Sequence, residues 1–173
     1  ATMKSNCANM SPLPIRPPTS DRLVFATQAV GDRAPIFRDP MYASMLLDTF
    51  RAVKMVHPYA MVGYCLLPDH FHIMVQPTFP ETISTIIQSV KRNFTLDYKR
   101  RIGVAGRMDF WQKSFMDHIL RDEIDRQRHL DYIHINPIRH GYASRPEDWE
   151  WSSFRAWKER GVYADGWAWH LDD

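Results

Sequence analysis

The sequence has 173 residues, which is the length of one domain, and its 45% hydrophobic residues are enough for a sizeable core, which excludes a wholly disordered chain. The net charge is only +2, which by itself does not indicate a polyanionic partner. The segment from residue 91 to residue 145 nevertheless has 12 Lys and Arg against 7 Asp and Glu, whereas the remainder has 10 against 13, so the basic charge is regional.

The hydrophobic pattern predicts alternating strands and helices between two tails. Residues 1–20 are rich in proline and predict a flexible tail, residues 21–160 predict one catalytic domain, and residues 161–173 predict a C-terminal tail. The predicted elements are a strand over 22–30, a helix over 39–57, strands over 59–67 and 70–76, a helix over 81–101, short strands around 110–111 and 115–120, a helix over 121–135 that Pro137 ends, and a helix over 152–160. This order is typical of an α+β fold with a ferredoxin-like antiparallel sheet and helices packed on it.

The chain has two cysteines, Cys7 and Cys65, which cannot form a disulfide framework. It has no run of about 18 apolar residues, and its first twenty residues lack the apolar block of a secretory signal. We therefore expect a soluble cytoplasmic protein without a membrane partner.

Two histidines interrupt the apolar strand predicted over 70–76. Because side chains alternate along a strand, His70 and His72 share one face while Phe71 points to the other. Two neighbouring imidazoles are half of a metal site. A short motif of this kind is more often a pair of structural histidines, so a metal site requires further ligands.

A second cluster lies near the end of the helix predicted over 121–135. Tyr132 and Asn136 are four residues apart and share one helical face. A tyrosine beside a metal-bound phosphate can act as a nucleophile, and the carboxamide oxygen of Asn136 is a candidate third ligand. The alternative is a core tyrosine followed by a helix-capping asparagine. Together the two clusters favour a functional site. We expect His134 to face away from Tyr132, and we interpret His118 as a structural histidine.

Four segments of the sequence carry a resemblance to a known family. They are PDHFHIMV (68–75), FWQKSF (110–115), DHILRD (117–122) and DYIHINPIRHGY (131–142). Together they resemble the REP-associated tyrosine transposases, which are bacterial relatives of the single-tyrosine HUH insertion-sequence transposases. The similarity extends from about Arg22 to Lys158.

The resemblance implies a metal-dependent enzyme that cleaves and rejoins single-stranded DNA through a 5′-phosphotyrosine and leaves a 3′-hydroxyl. By motif, Tyr132 is the nucleophile, and His70, His72 and Asn136 are the metal ligands. Mg²⁺ or Mn²⁺ suits this chemistry, because phosphate oxygens complete the coordination. Zn²⁺ fits the imidazoles equally well, so the sequence does not choose between these ions.

The resemblance also implies a DNA partner. Family members act on repetitive extragenic palindromes (REP sequences), which are imperfect DNA hairpins with a short conserved tetranucleotide beside the stem. The basic residues between 91 and 145 are the candidate contacts, and as a cluster they are a stronger prediction than any one of them is alone. The candidates are Lys91, Arg92, Lys99, Arg100, Arg101, Lys113, Arg121 and Arg139.

Two other functions remain open from the sequence. One is a domesticated relative that binds hairpins without cutting them, although the intact set of Tyr132, His70, His72 and Asn136 argues against it. The other is a metal phosphodiesterase in which the histidines activate water and Tyr132 is structural. Insertion-sequence relatives act as dimers that swap tyrosine helices, whereas the repeat-associated branch resembles a monomer acting in cis. We therefore expect a monomer associated with the nucleoid.

Overall fold

The computed structural model describes residues 21–170, so the predicted N-terminal tail lies outside the described residues. Four strands form one antiparallel sheet in the order β2-β3-β1-β4. The strands and α-helices are β1 (Val24–Ala29), α1 (Pro40–Val56), β2 (Tyr59–Leu67), β3 (His70–Pro77), α2 (Ile83–Ile102), β4 (Met116–Ile119), α3 (Glu123–Arg139) and α4 (Phe154–Glu159). The predicted ferredoxin-like order of strands and helices is confirmed.

Alternation along the strands gives the sheet two apolar faces. On one face, Phe71 and Ile73 of β3 join a core that includes the buried residues of α1 and α2. On the other face, Met74 joins a smaller core in which Leu130 and Ile133 of α3 are buried. The helix that carries Tyr132 and the two preceding helices therefore lie on opposite sides of the sheet.

Local sequence signals set the ends of the helices. Asp39 caps α1 by accepting a hydrogen bond from the amide of Met41, and Pro40 occupies the first turn, where its missing N–H costs nothing. Thr82 caps α2 in the same way, and Gly103 ends that helix in the left-handed conformation that glycine adopts without strain. These signals explain why α1 and α2 begin and end close to their predicted bounds.

The two edges of the sheet differ. The β2 edge is covered by residues 149–153, because the amide of Leu66 donates to Trp151 and the indole N–H of Trp149 donates to Leu66. The opposite edge is β4, a strand of four residues that pairs with β1. The segment after residue 160, predicted as a tail, carries Tyr163, which is buried against His134 and Phe154.

Two predicted boundaries are wrong. Helix α3 continues through Pro137 to Arg139. A proline in the last turn removes only its own amide hydrogen bond, and the amides of Tyr142 and Ala143 both donate to the Pro137 carbonyl and hold this end. Residues 110–111 form no strand, since Trp111 makes only an isolated bridge to Val30.

Within residues 21–170, no helix is long and apolar enough to cross a membrane.

Candidate active site

The centre of the site is the histidine pair on β3. His70 and His72 lie on the α3 face of the sheet and are 3% and 4% exposed. Their Nε2 atoms are 3.2 Å apart. Strand alternation therefore places both imidazoles side by side, as the sequence predicts, with their Nε2 atoms directed at one another.

The outer ring nitrogens are held by two neighbours. His70 Nδ1 donates to the Asp69 carboxylate at 2.6 Å, and the same carboxylate forms an ion pair with Arg33 at 2.8 Å. His72 Nδ1 lies 2.7 Å from the hydroxyl of Thr27, its partner in the β1–β3 register. Because a carboxylate only accepts, His70 carries its proton on Nδ1 and keeps a lone pair on Nε2.

Both imidazoles are neutral at physiological pH. Burial lowers the pKa of His70, and the hydrogen bond to Asp69 acts in the opposite direction. Burial, and then the neighbouring His70, lower the pKa of His72 to about 3. A neutral imidazole has the lone pair that binds a metal ion, whereas a protonated imidazole does not. Burial therefore keeps His70 and His72 in the form that can act as metal ligands.

Helix α3 brings Tyr132 and Asn136 to the pair. The Tyr132 ring meets the His72 ring edge-on at a centroid distance of 5.3 Å and is 38% exposed. Asn136 is buried, its Nδ2 donates to the Tyr132 carbonyl at 2.7 Å, and its side chain is close enough to His72 to oppose the lowering of that residue's pKa. The shared helical face thus places an accessible phenol and a fixed carboxamide beside the histidines.

The donor set fits a divalent cation. His70 has a free Nε2 lone pair, and His72 has one when its Nδ1 donates to Thr27. In that state two lone pairs face each other at 3.2 Å and can bind one cation together, whereas in the other tautomer the Nε2 of His72 donates to that of His70. The oxygen of Asn136 adds a third donor. Fixed outer nitrogens of this kind are typical of metal-binding histidines.

Comparison with known proteins identifies the family. The profile described as "Transposase IS200 like" matches residues 22–136, a stretch that contains the histidine pair, Tyr132 and Asn136. The chain belongs to the IS200-like transposase family. A REP-associated tyrosine transposase of Escherichia coli K12 is 32% identical over 75% of this chain and 74% of its own length. A Haemophilus influenzae relative of the same group is 28% identical over 89% of this chain and 92% of its own length.

A solved structure agrees with these relatives. A REP-associated tyrosine transposase bound to a REP hairpin superposes with a TM-score of 0.74 at 28% identity, covering 90% of this chain and 89% of that chain. The predicted resemblance to REP-associated tyrosine transposases is confirmed.

The transposase carries most of its predicted DNA contacts away from Tyr132. Lys91, Arg92, Lys99 and Lys113 line a groove of about 430 Å³ between α2 and residues 108–113, on the face of the sheet opposite to the histidines. Two of these side chains also form hydrogen bonds with the main chain: Lys91 donates to the Gln112 carbonyl, and Lys99 donates to the Gly106 carbonyl. We name this feature the basic groove.

The remaining predicted contacts are dispersed. Arg100 pairs with Asp97 within α2, and Arg101 is an exposed residue in the last turn of that helix. Arg121 is exposed, and its Nε lies 3.5 Å from the Asp125 carboxylate. At the site, the Arg139 guanidinium lies 5.6 Å from the centre of the Tyr132 ring. Of the eight predicted basic residues, Arg139 is therefore the one in contact with the tyrosine.

His134 faces away from the site, as predicted. It is fully buried between Tyr163 and Ser153, with both ring nitrogens 2.8 Å from a hydroxyl. In one assignment of protons, Ser153 donates to Nε2 instead of to the Tyr64 carbonyl, Nδ1 donates to Tyr163, and Tyr163 donates to Asp131 at 3.1 Å. Burial lowers the pKa of His134 to about 3, so it is a neutral structural residue.

Two features of this transposase are not predicted by the sequence pattern. The first is Thr27, because its contact with His72 depends on the β1–β3 register. The second is the set of partners of His118, whose Nε2 lies 2.8 Å from Asp125, which also contacts His129. The hydrogen bond from His118 lowers the pKa of Asp125 to about 2, so this carboxylate is ionised. The spacing of Asp125 and His129, one helical turn apart, was the available signal.

Proposed function

We propose that this REP-associated transposase cleaves and rejoins single-stranded DNA beside a REP hairpin, with Tyr132 as the nucleophile and a divalent ion held by His70, His72 and Asn136. The observation that carries the proposal is the convergence of an exposed phenol with two neutral imidazoles, at a centroid distance of 5.3 Å between the rings of His72 and Tyr132. Tyr132 is 38% exposed, so its phenol is accessible to a substrate.

The reaction is a phosphoryl exchange on Tyr132. Its phenolic oxygen loses a proton and forms a bond to phosphorus, while the bond from phosphorus to the 3′ oxygen of the preceding nucleotide breaks and that oxygen takes up a proton. The products are a 5′-phosphotyrosine and a free 3′-hydroxyl. One phosphodiester replaces another, so the attack of a 3′-hydroxyl on the phosphotyrosine rejoins the strand without an energy source.

The residues around Tyr132 have separate tasks. The imidazoles of His70 and His72 and the amide oxygen of Asn136 hold the ion, and Asp69 and Thr27 fix the ring orientations. Mg²⁺ or Mn²⁺ bound there would neutralise charge on the reacting phosphate and polarise its oxygens. These two ions suit the step better than Zn²⁺ because the remaining ligands are phosphate and water oxygens.

The DNA partner we propose is a REP hairpin, by analogy with the homologous complex. The basic groove provides a cationic surface for the phosphates of the stem, and Arg139 is placed to contact the strand at Tyr132. Because one chain carries the histidines and the tyrosine together, we propose a monomer as the active unit. Such a substrate places the enzyme at the nucleoid.

The test is a cleavage assay on REP hairpins that flank the gene, labelled at either end, with Mg²⁺ or Mn²⁺. We expect a covalent adduct between the protein and the fragment 3′ of the cut, and none with Tyr132→Phe. The matched control is Tyr142→Phe, since Tyr142 is also 38% exposed but stacks on His140 and Trp149 instead of contacting His72. This control should form the adduct.

Other outcomes would identify other functions. Tight hairpin binding without cleavage under any divalent ion would indicate a non-catalytic DNA-binding protein. Hydrolysed 5′-phosphate ends that form without an adduct, and that persist in Tyr132→Phe, would indicate a phosphodiesterase that activates water.

A further inference from the structure

A second cluster of metal-type ligands lies at the first turns of the tyrosine helix. His118 is on β4, and Asp125 and His129 are one turn apart on α3. One nitrogen of each imidazole and one oxygen of the carboxylate all lie within 4.8 Å of one another. The His118 side chain is 40% exposed, so an ion in solution has access to the cluster.

The three side chains are already held together. His118 Nε2 lies 2.8 Å and His129 Nδ1 lies 3.2 Å from the Asp125 carboxylate, and the two imidazole rings stack at 4.8 Å. Ligand atoms around a tetrahedral ion with bonds of 2.0–2.1 Å are about 3.3 Å apart. The cluster therefore needs only small side-chain movements to surround an ion.

We propose that His118, Asp125 and His129 bind a second divalent ion of the zinc type, which joins the tyrosine helix α3 to the edge strand β4. Two imidazole nitrogens and one carboxylate oxygen, with a water in the fourth position, are a donor set that Zn²⁺ prefers. Mg²⁺ prefers oxygen ligands in an octahedral arrangement and fits poorly.

Binding requires an exchange of tautomers and the departure of the Arg121 guanidinium, whose Nε lies 3.5 Å from the Asp125 oxygen that contacts His118. His118 moves its proton from Nε2 to Nδ1, and His129 moves its proton from Nδ1 to Nε2, so each presents a lone pair beside the carboxylate. His129 Nδ1 gives up a hydrogen bond to the Asp125 carbonyl. The Asp125 carbonyl still accepts the main-chain hydrogen bond of the helix, so it is not left without a hydrogen-bond partner.

This ion would be separate from the one at the histidine pair. Phe25 lies between the two clusters, with ring centroids 5.6 Å from His72 and 5.0 Å from His129. Pairs of ions that share a phosphate are about 3.5–4 Å apart, so these two do not form a two-metal centre. His129 precedes Tyr132 by less than one turn, and the second ion therefore fixes the part of α3 that leads to the nucleophile.

The test measures Zn²⁺ bound by full-length variants in equilibrium dialysis, together with the thermal unfolding midpoint. A His70→Ala/His72→Ala variant removes the first site, and we expect it to retain one equivalent of Zn²⁺ and to gain about 5–10 °C at a hundredfold excess of Zn²⁺ over its Kd. Adding His118→Ala and His129→Ala should abolish both effects. Zn²⁺ that remains bound to the combined variant, or no Zn²⁺ bound to the first one, would overturn the proposal.

The matched control is His57→Ala. His57 Nδ1 lies 3.0 Å from the Glu81 carboxylate, so it is also one histidine of a histidine–carboxylate pair, but it is not part of a three-ligand cluster among the described residues. This variant should keep the bound Zn²⁺. If the loss of His70 and His72 prevents folding, the comparison is made in the wild-type background, where His118→Ala/His129→Ala should bind one equivalent fewer than the unmodified chain. An equal number would reject the second site.

Discussion

The buried His134 makes the stability of the fold dependent on pH. Its pKa is about 3 in the folded protein, against about 6.5 in an unfolded chain. Between these values the unfolded chain binds a proton that the folded protein does not, so the free energy of unfolding falls as the pH drops below 6.5. From pH 7.5 to pH 5.0 the loss due to His134 is about 2 kcal/mol, because 1.5 pH units at about 1.36 kcal/mol each lie below the unfolded pKa.

The informative substitution is His134→Gln. Glutamine keeps one donor for Tyr163 and one acceptor for Ser153, but it has no proton to titrate. Its unfolding free energy should fall by about 2 kcal/mol less than that of the wild type between the two pH values. The buried pair His70 and His72 titrates in both proteins, so its contribution cancels in this comparison.

Urea unfolding at pH 7.5 and pH 5.0 measures the effect. Tyr163→Phe is the control, because it removes a hydroxyl from the same hydrogen-bonded chain but keeps the imidazole of His134. It should be less stable at both pH values and retain the wild-type pH dependence. If His134→Gln lost as much stability as the wild type on acidification, the buried imidazole would not be the source.

Three further substitutions test the site and its support. Thr27→Val removes the hydroxyl 2.7 Å from His72 Nδ1 and should weaken divalent-ion binding about 10- to 100-fold in a calorimetric titration; unchanged affinity would mean that the hydroxyl does not orient the ring. Gly63→Ala places a β-carbon 2.8 Å from Cδ1 of the buried Leu130. It should lower the free energy of unfolding in urea by about 1–3 kcal/mol, and Leu130→Ala in the same chain should partly relieve this loss. If the losses of the two substitutions were additive, the clash would be contradicted. Lys113→Gln in the basic groove should weaken hairpin binding and reduce its salt dependence by about one counterion, and an unchanged salt slope would exclude a phosphate contact.

The sequence was sufficient for features that depend on periodicity. Alternation along β3 predicts that His70 and His72 share a face, and helical spacing predicts that Tyr132 and Asn136 do so. Both predictions hold because apolar residues of the same strand and the same helix are buried, which fixes the direction in which each element turns its polar side chains. The main error at this level is the end of α3, because the pattern predicts a stop at Pro137 although a proline in the last turn costs a single hydrogen bond.

Features that depend on register or on loop paths were out of reach. Thr27 meets His72 across 45 residues, and a shift of one residue in the β1–β3 pairing would turn its hydroxyl to the other face. The distribution of charge along the sequence predicts a basic region but not where its residues lie in the fold. It places Lys91 and Lys113 in one group with Arg139, whereas in the structure the sheet separates them.

The placement of the basic groove and the histidine pair on opposite faces of the sheet restricts how a nucleic acid can reach both. Because the β2 edge is covered by residues 149–153, we expect a DNA molecule that occupies the groove and also reaches Tyr132 to pass around β4. A rigid duplex cannot follow so sharp a path, whereas a stem with a single-stranded flank can bend at the junction between them. In such an arrangement the groove would select which DNA is bound and the opposite face would set where it is cut, so the two properties could change independently.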